Sequence, residues 1–260
     1  MYPTLFNIGT FRIDTYSVVW FIALSIAIIF ALKRLKLYEL DEDESRKIMA
    51  VAFFCMLLGS RAPEYIRNWR VYYNNPSLLL DLNRGGVEEV GAILGAFFGA
   101  LFMCLFSKKI SFGKLCEVSA IPALLAISIG RWGCFLNGCC KGIESKFFTA
   151  IHFLNDPAGV YRHPVQIYYS IFAACSVILL LIIERKILSI SIRENKKFYP
   201  VIAPLALILF SVMRYLIAPV REYAPLYDLI ANYWVYKAIT IFLPIEILIL
   251  AWSLYKISQE

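Results

Sequence analysis

The feature that most constrains this chain is a recurring apolar run. Stretches of roughly twenty mostly apolar residues fall near 15–33, 47–66, 89–107, 115–133, 166–184, 199–218 and 235–255, each long enough to cross the hydrocarbon core of a bilayer as a helix. No water reaches the backbone there, so each amide and carbonyl must be satisfied within the segment, and helices achieve this. Composition agrees. Of the 260 residues, 60% are hydrophobic and 17% charged, with mean hydropathy +0.66, whereas soluble domains carry roughly a quarter charged residues. The expected fold is all-α: a polytopic integral membrane protein of about seven transmembrane helices, forming a single membrane domain over 1–260. The second and fourth spans are expected to be irregular, since Arg61, Pro63 and Glu64 interrupt one and Arg131 ends the other, as would happen if both lined a polar cavity.

The net charge of +7 does not point to nucleic acid, because Lys and Arg fall in short clusters between apolar runs rather than on one basic face. Those clusters set an orientation instead. Lys33, Arg34, Lys36, Arg46 and Lys47 follow the first span, Lys108, Lys109 and Lys114 the third, and Arg185, Lys186, Arg193, Lys196 and Lys197 the fifth. Short loops carrying the positive excess are cytoplasmic, which puts the N-terminus outside and the C-terminus inside. The opening MYPTLFNIGTFRID lacks a basic region leading directly into an apolar one, so the first span is expected to be retained. Arg61, Arg67, Arg70, Arg84, Arg131, Arg162 and Arg221 nevertheless fall on or near the outer side. Against the usual bias, this suggests a demand for anion binding there.

Between spans four and five, residues 139–162 are polar, with a turn signal at Asp156, Pro157 and Gly159, and are expected to form a small extracytoplasmic head. Trp and Tyr in the outer segments fit an interfacial belt. Gly91, Gly95 and Gly99, spaced four apart, make a close-packing face for another helix.

The stretch SIGRWGCFLNGCCKG over 128–142 places Arg131, Asn137 and the thiols of Cys134, Cys139 and Cys140 at the end of a hydrophobic run. An ordinary helix exit needs none of them. An ionisable residue at that depth is a candidate functional group, and Arg offers a planar fork for phosphate. Gly130, Gly133, Gly138 and Gly142 leave the backbone free to turn or approach a ligand. The plainer alternative is a glycine-punctuated helix end whose Arg reaches toward headgroups. Three more sets stand out at outer span ends: Gly59-Ser60-Arg61, His163-Pro164 with Gln166 and Tyr168, and Arg214 with Arg221. The last pair is spaced by about two helical turns, with Pro219 bending that geometry. Arginines converging on one pocket call for an anion, and a lipid phosphate is at hand.

Candidate bases are Glu88 and Glu89, at a helix N-terminus where the dipole favours carboxylates, and His163. The histidine has the better pKa for the task, or it simply caps the fifth helix with Pro164 in the first turn. His152, in the head, is expected to face water. Cys134, Cys139 and Cys140 lack a second CxxC or a nearby His pair, so no metal site is expected. A disulfide on an oxidising outer face, or reactive thiols near the pocket, are the readings left open. Cys55, Cys104, Cys116 and Cys175 lie inside apolar runs and read as small packing residues.

Taken together these motifs resemble the prolipoprotein diacylglyceryl transferase family. GRWGCFLNGCC is similar to that family's Gly-Arg followed at fixed spacing by Gly, Phe and Asn-Gly, and HPVQIYY to its His-Pro-x-Gln-Leu-Tyr. Tyr16, Gly59 and Arg61, Gly91 with Gly95, and Arg214 with Arg221 also fall where the family places comparable residues, so the resemblance covers nearly the whole chain. It implies a multi-pass enzyme of the bacterial cytoplasmic membrane, with no cofactor, that moves the diacylglyceryl group of phosphatidylglycerol onto the thiol of a prolipoprotein lipobox cysteine and releases glycerol phosphate. On that reading Arg131, Arg221, His163, Glu88 and Glu89 are catalytic candidates. Tyr16, Arg61, Arg131, Asn137, Gly138, Gln166, Tyr168 and Arg214 are candidates for holding substrate.

Four positions depart from the family pattern. Val90 stands where a histidine is usual, Cys134 for an asparagine, Cys139 for a glutamate, and Ala218 for a glutamate between the two sixth-span arginines. The usual base is among them. Either Glu88, Glu89 or His163 takes its place, or the fold serves a different acceptor, or the chain binds phospholipid without catalysis. A transporter would show symmetry-related broken helices and an internal repeat, and neither is visible. The orientation is open to direct test: a topology reporter fused at Arg193 should read cytoplasmic, and an outside signal there would overturn it.

Overall fold

The computed structural model describes residues 2–8, 11–80, 88–107, 109–194, 200–222, 243–257 and 259. In chain order the elements are β1 (Thr4–Ile8), β2 (Phe11–Asp14), α1 (Thr15–Arg34), α2 (Glu42–Arg67), α3 (Trp69–Asn74), α4 (Glu89–Phe106), α5 (Phe112–Asn137), α6 (Val165–Glu194) and α7 (Ile202–Ile217). A further helical stretch covers 243–257. Among the described residues, five segments, built on α1, α4, α5, α6 and α7, are long and apolar enough to cross a membrane. The second expected span lies within α2, whose polar first turn is capped by the Asp41 carboxylate accepting from the Glu44 amide at 2.9 Å, a standard N-cap arrangement. Part of the seventh expected span, and the aromatic segment before it, lie outside the described residues. The fold is that of an all-α polytopic membrane protein.

Two local expectations are corrected, and one feature is added. Helix α2 continues through Arg61, Pro63 and Glu64 to Arg67, because one interior proline removes only one backbone hydrogen bond and local adjustment absorbs the loss. Helix α5 likewise runs past Arg131 to Asn137, so Arg131 sits within a helix rather than at its exit. At the N-terminus, residues Thr4–Ile8 and Phe11–Asp14 form an antiparallel hairpin with Phe6 opposite Ile13 and Ile8 opposite Phe11.

The described chain gathers into two compact units, one of Met1–Ala31 with Cys116–Glu260 and one of Leu32–Leu115. In the first, Ile121 and Leu124 of α5, Val177 and Leu180 of α6, and Ile202 and Ala206 of α7 form one buried cluster. Val165, Tyr169 and Ala173 of α6 with Met213 and Ile217 of α7 form another. Polar contacts join the same helices. Ser128 donates to the Ser170 carbonyl at 3.0 Å and Ser170 returns the bond to the Ser128 carbonyl at 2.8 Å, the kind of interhelical bond by which small hydroxyl residues hold membrane helices together. The buried Glu117 carboxylate of α5 accepts from the amides of Ile202 and Ala203 at 2.9 and 2.7 Å. It thereby satisfies donors that the first turn of α7 cannot pair internally.

In the second unit α2 packs against α4 at backbone contact, and the expected glycine face provides the space. A Cβ placed on Gly91 would lie 2.2 Å from the Gly59 carbonyl oxygen, and one on Gly95 would lie 2.2 Å from that of Cys55. Neither carbonyl can move without breaking helical hydrogen bonds. Gly95→Leu should therefore drive the pair apart and destabilise the protein by about 2 kcal/mol or more, read as a fall in the thermal midpoint of the detergent-solubilised chain. Gly113→Ala, whose added carbon meets nothing nearer than the Ser111 hydroxyl at 3.8 Å, should leave the midpoint unchanged or slightly raised.

Candidate active site

The C-terminal half of α5 carries the first chemical groups. Arg131 and Cys134, one helical turn apart, share a buried face at 5% and 3% exposure. Helix α1 approaches closely because Gly130 and Gly133 present no side chain: a Cβ at 130 would meet the Trp20 ring at 2.7 Å, and one at 133 would meet the Tyr16 carbonyl at 3.2 Å. These two glycines serve contact, not turning. Tyr16 is consequently near enough to Cys134, Cys139, Cys140 and Arg131 to feel their charges.

Gly138, at φ +70°, ends α5. Its amide bonds the Phe135 carbonyl and the Cys139 amide bonds the Cys134 carbonyl, both at 3.1 Å, which is the Schellman pattern that only a left-handed residue completes. Cys140 is also left-handed at φ +57°. The two turns fold the chain back so that the sulfurs of Cys134, Cys139 and Cys140 all lie within 4.8 Å of one another. The Cys139 thiol donates to the Cys134 carbonyl at 3.6 Å, and Asn137 lies near enough to Cys139 to influence its thiol. Cys140 lies beyond the membrane-spanning part of α5. Hydrogen bonds from the thiols of Cys134 and Cys139, together with the nearby guanidiniums of Arg221 and Arg131, outweigh burial and hold its thiol well below the ordinary cysteine range.

Arginines converge from three elements. The Arg131 guanidinium lies over the ring of Tyr169 on α6, 4.4 Å from its centre, and Arg214 of α7 lies 5.9 Å from the same ring. Such stacking is worth about 0.5–2 kcal/mol per contact. Tyr169 is 1% exposed, so the platform is rigid. Two guanidiniums thus lie against one aromatic ring, which concentrates positive charge there. Arg214 and Arg221 do not share a helix face as their spacing suggested. Helix α7 ends at Ile217, and after a 3₁₀ turn over Ala218–Val220 Arg221 has extended backbone and pairs with Gly142 of the head. That detour takes Arg221 to the thiols.

The head is held by a compact polar network. Lys141 and Arg162 both engage the buried Asp156 carboxylate, Arg162 at 3.1 Å, and Arg162 also reaches Glu222 at 2.7 Å. Gly142 is needed where three strands of chain meet, since a Cβ there would lie 2.6 Å from His163 and from the Val220 carbonyl. The Gln166 amide donates to the Cys139 carbonyl at 2.6 Å, joining α6 to the thiol turn. His163 Nδ1 is 3.1 Å from the Tyr168 hydroxyl, itself 2.5 Å from the Thr149 hydroxyl. His152 is an exposed head residue whose Nδ1 donates to the Val160 carbonyl at 2.9 Å.

The first unit thus brings together Tyr16, Arg131, Cys134, Asn137, Gly138, Cys139, Cys140, His163, Gln166, Tyr168, Arg214 and Arg221. Arg61, Glu88 and Glu89 belong to the second unit, where Glu88 precedes α4, pairs with Arg67 and bonds the Ser60 carbonyl through its amide at 2.8 Å. Tyr169 is a site residue that sequence reasoning missed. A signal was present: it lies three residues after Gln166, on the helix face that both share.

Comparison with known proteins places the chain in a family. The family model described as prolipoprotein diacylglyceryl transferase matches residues 3–252. A phosphatidylglycerol–prolipoprotein diacylglyceryl transferase of Clostridium novyi (strain NT) is 31% identical over 227 residues, covering 85% of this chain and 84% of its own. Its namesake in Clostridium tetani is 32% identical over 191 residues, covering 72% and 75%. The one from Listeria welshimeri is 31% identical over 193 residues, covering 70% and 69%. With its arginine-lined helix ends and a match spanning almost its full length, this chain belongs to the prolipoprotein diacylglyceryl transferase family.

Proposed function

We propose that the chain transfers the diacylglyceryl group of phosphatidylglycerol to the thiol of a lipobox cysteine in a prolipoprotein, at the outer face of the bacterial cytoplasmic membrane. The observation that carries this reading is the placement of Arg131 and Arg214 on one buried ring, with Arg221 arriving beside the thiol turn. Attack by the acceptor sulfur on the glycerol carbon forms an S–C bond and breaks the C–O bond to phosphate. The electron pair leaves on the phosphate oxygen, and glycerol phosphate departs. Charge therefore grows where guanidiniums can answer it. Arg131, held by α5 and stacked on Tyr169, is the residue best placed to do so, while Arg214 and Arg221 share the load from other elements. Tyr16 and Asn137 hold the phosphatidylglycerol donor, and Gln166 keeps the thiol turn in register. Arg131→Ala should lower transfer from labelled phosphatidylglycerol to a lipobox peptide by about 10²–10³-fold while leaving membrane insertion intact. Arg131→Lys should be intermediate, because Lys restores charge but not the fork. Wild-type turnover in the Ala variant would reduce Arg131 to an anchor.

His163 is assigned a positioning role. Its Nδ1 contact with Tyr168 and its backbone bonds to Gly142 and Ile143 hold the start of α6 against the head. A general base contributes roughly 10²–10⁴-fold, so the two roles separate by magnitude. His163→Asn, which retains a side-chain partner for the Tyr168 hydroxyl, should cost less than about tenfold in turnover. A loss of a hundredfold or more, with the peptide KM unchanged, would make it the base instead.

A further inference from the structure

The acceptor thiol must lose its proton, and this chain gathers three thiols beside its arginines. We infer that Cys134, Cys139 and Cys140 are the protein ligands of a zinc ion whose open fourth position takes the acceptor cysteine. The inference rests on the lipid-transfer reading above and supplies the missing activation.

The geometry fits the metal. Tetrahedral zinc with Zn–S bonds of about 2.3 Å needs sulfurs about 3.8 Å apart, and the three here already lie within 4.8 Å of one another. The left-handed turns at Gly138 and Cys140 are what bring them there, and the Gln166 bond to the Cys139 carbonyl steadies the turn. Spacing in sequence argued against a metal because no second pair of ligands follows. Three protein ligands suffice, however, when the fourth is the substrate, as in zinc sites that act rather than merely brace. Soft thiolates select zinc over hard cations. Three thiolates on a divalent ion leave one net negative charge, and Arg221 and Arg131 stand within charge range of Cys140 to offset it.

The step balances without an oxidant or a side-chain base. Coordination ionises the acceptor thiol and releases its proton to water. The metal-bound sulfur then forms the S–C bond as the C–O bond breaks toward the arginine-held phosphate. Zinc stays divalent throughout, and the neutral thioether, a poor ligand, leaves it. Placing the thiol cluster next to the arginines sets the nucleophile beside the position of the leaving group.

The test uses the full chain in detergent, reduced and stripped with a chelator. It should bind one zinc, and binding should protect three of its seven cysteines from maleimide, identified by mass spectrometry as 134, 139 and 140. Cys139→Ser and Cys140→Ser should each weaken zinc binding at least tenfold, since even second-shell changes cost about 10–100-fold. With cobalt in place of zinc, adding a lipobox peptide should change the thiolate-to-metal absorption, and the same peptide with serine for cysteine should not. Transfer should fall on stripping and return with zinc. Absence of zinc binding or thiol protection overturns the site, and transfer persisting in that metal-free protein would leave the lipid-transfer reading standing. A disulfide among the three in protein isolated without reductant, or a cobalt spectrum blind to the peptide, likewise overturns it. A zinc-loaded protein that binds the peptide at the metal but transfers nothing would sink the lipid-transfer reading instead.

Discussion

The termination of α5 is the constraint on which the site depends. A helix crossing lipid must end with its last carbonyls satisfied, and here the left-handed Gly138 does this through a Schellman turn. The turn returns Cys139 to the Cys134 carbonyl, and the left-handed Cys140 follows. A helix end that merely frayed into solvent would scatter these groups. Because it is closed, the last turn of α5 and the first residues of the head form one rigid corner, with Arg131 a turn below.

Around that corner, close packing decides what chemistry the arginines can do. An arginine in a membrane protein ordinarily extends its head toward water. Arg131 cannot, since Gly130 and Gly133 admit α1 against the same helix end and Tyr169 covers its other side. Held charge differs from mobile charge. A guanidinium that needs no reorganisation when a phosphate ester breaks stabilises the departing oxygen more than one drawn in from solvent. The reciprocal bonds of Ser128 and Ser170 keep α5 and α6 in the register this stacking requires.

The head contributes by tying distant chain segments to the corner. Asp156, buried between Lys141 and Arg162, is an ion cluster whose partners compensate its desolvation. Through the pairing of Gly142 with Arg221, the end of α7 is drawn toward the thiol turn. Arg221 therefore owes its position to a backbone contact in the head, not to the helix that precedes it.

Much of this was legible from local signals. Length and apolarity determined the membrane helices, since crossing lipid is a property of each segment alone. The Gly91, Gly95, Gly99 spacing marked a contact face, because close approach depends on a few neighbouring residues. The motif order likewise carried the family. Other features were not local. That α2 fills the glycine face and that Tyr169 joins Arg131 to Arg214 are outcomes of packing between residues far apart in sequence. Pro63 was misread as interrupting its span and Arg131 as ending one because a single residue's preference is about a few kcal/mol at most, and neighbouring helices override it. Sequence alone determined that arginines and thiols would lie close together on membrane helices; only tertiary structure decided which of them meet, because that depends on how closely the helices approach and on where residues 139–162 return the chain.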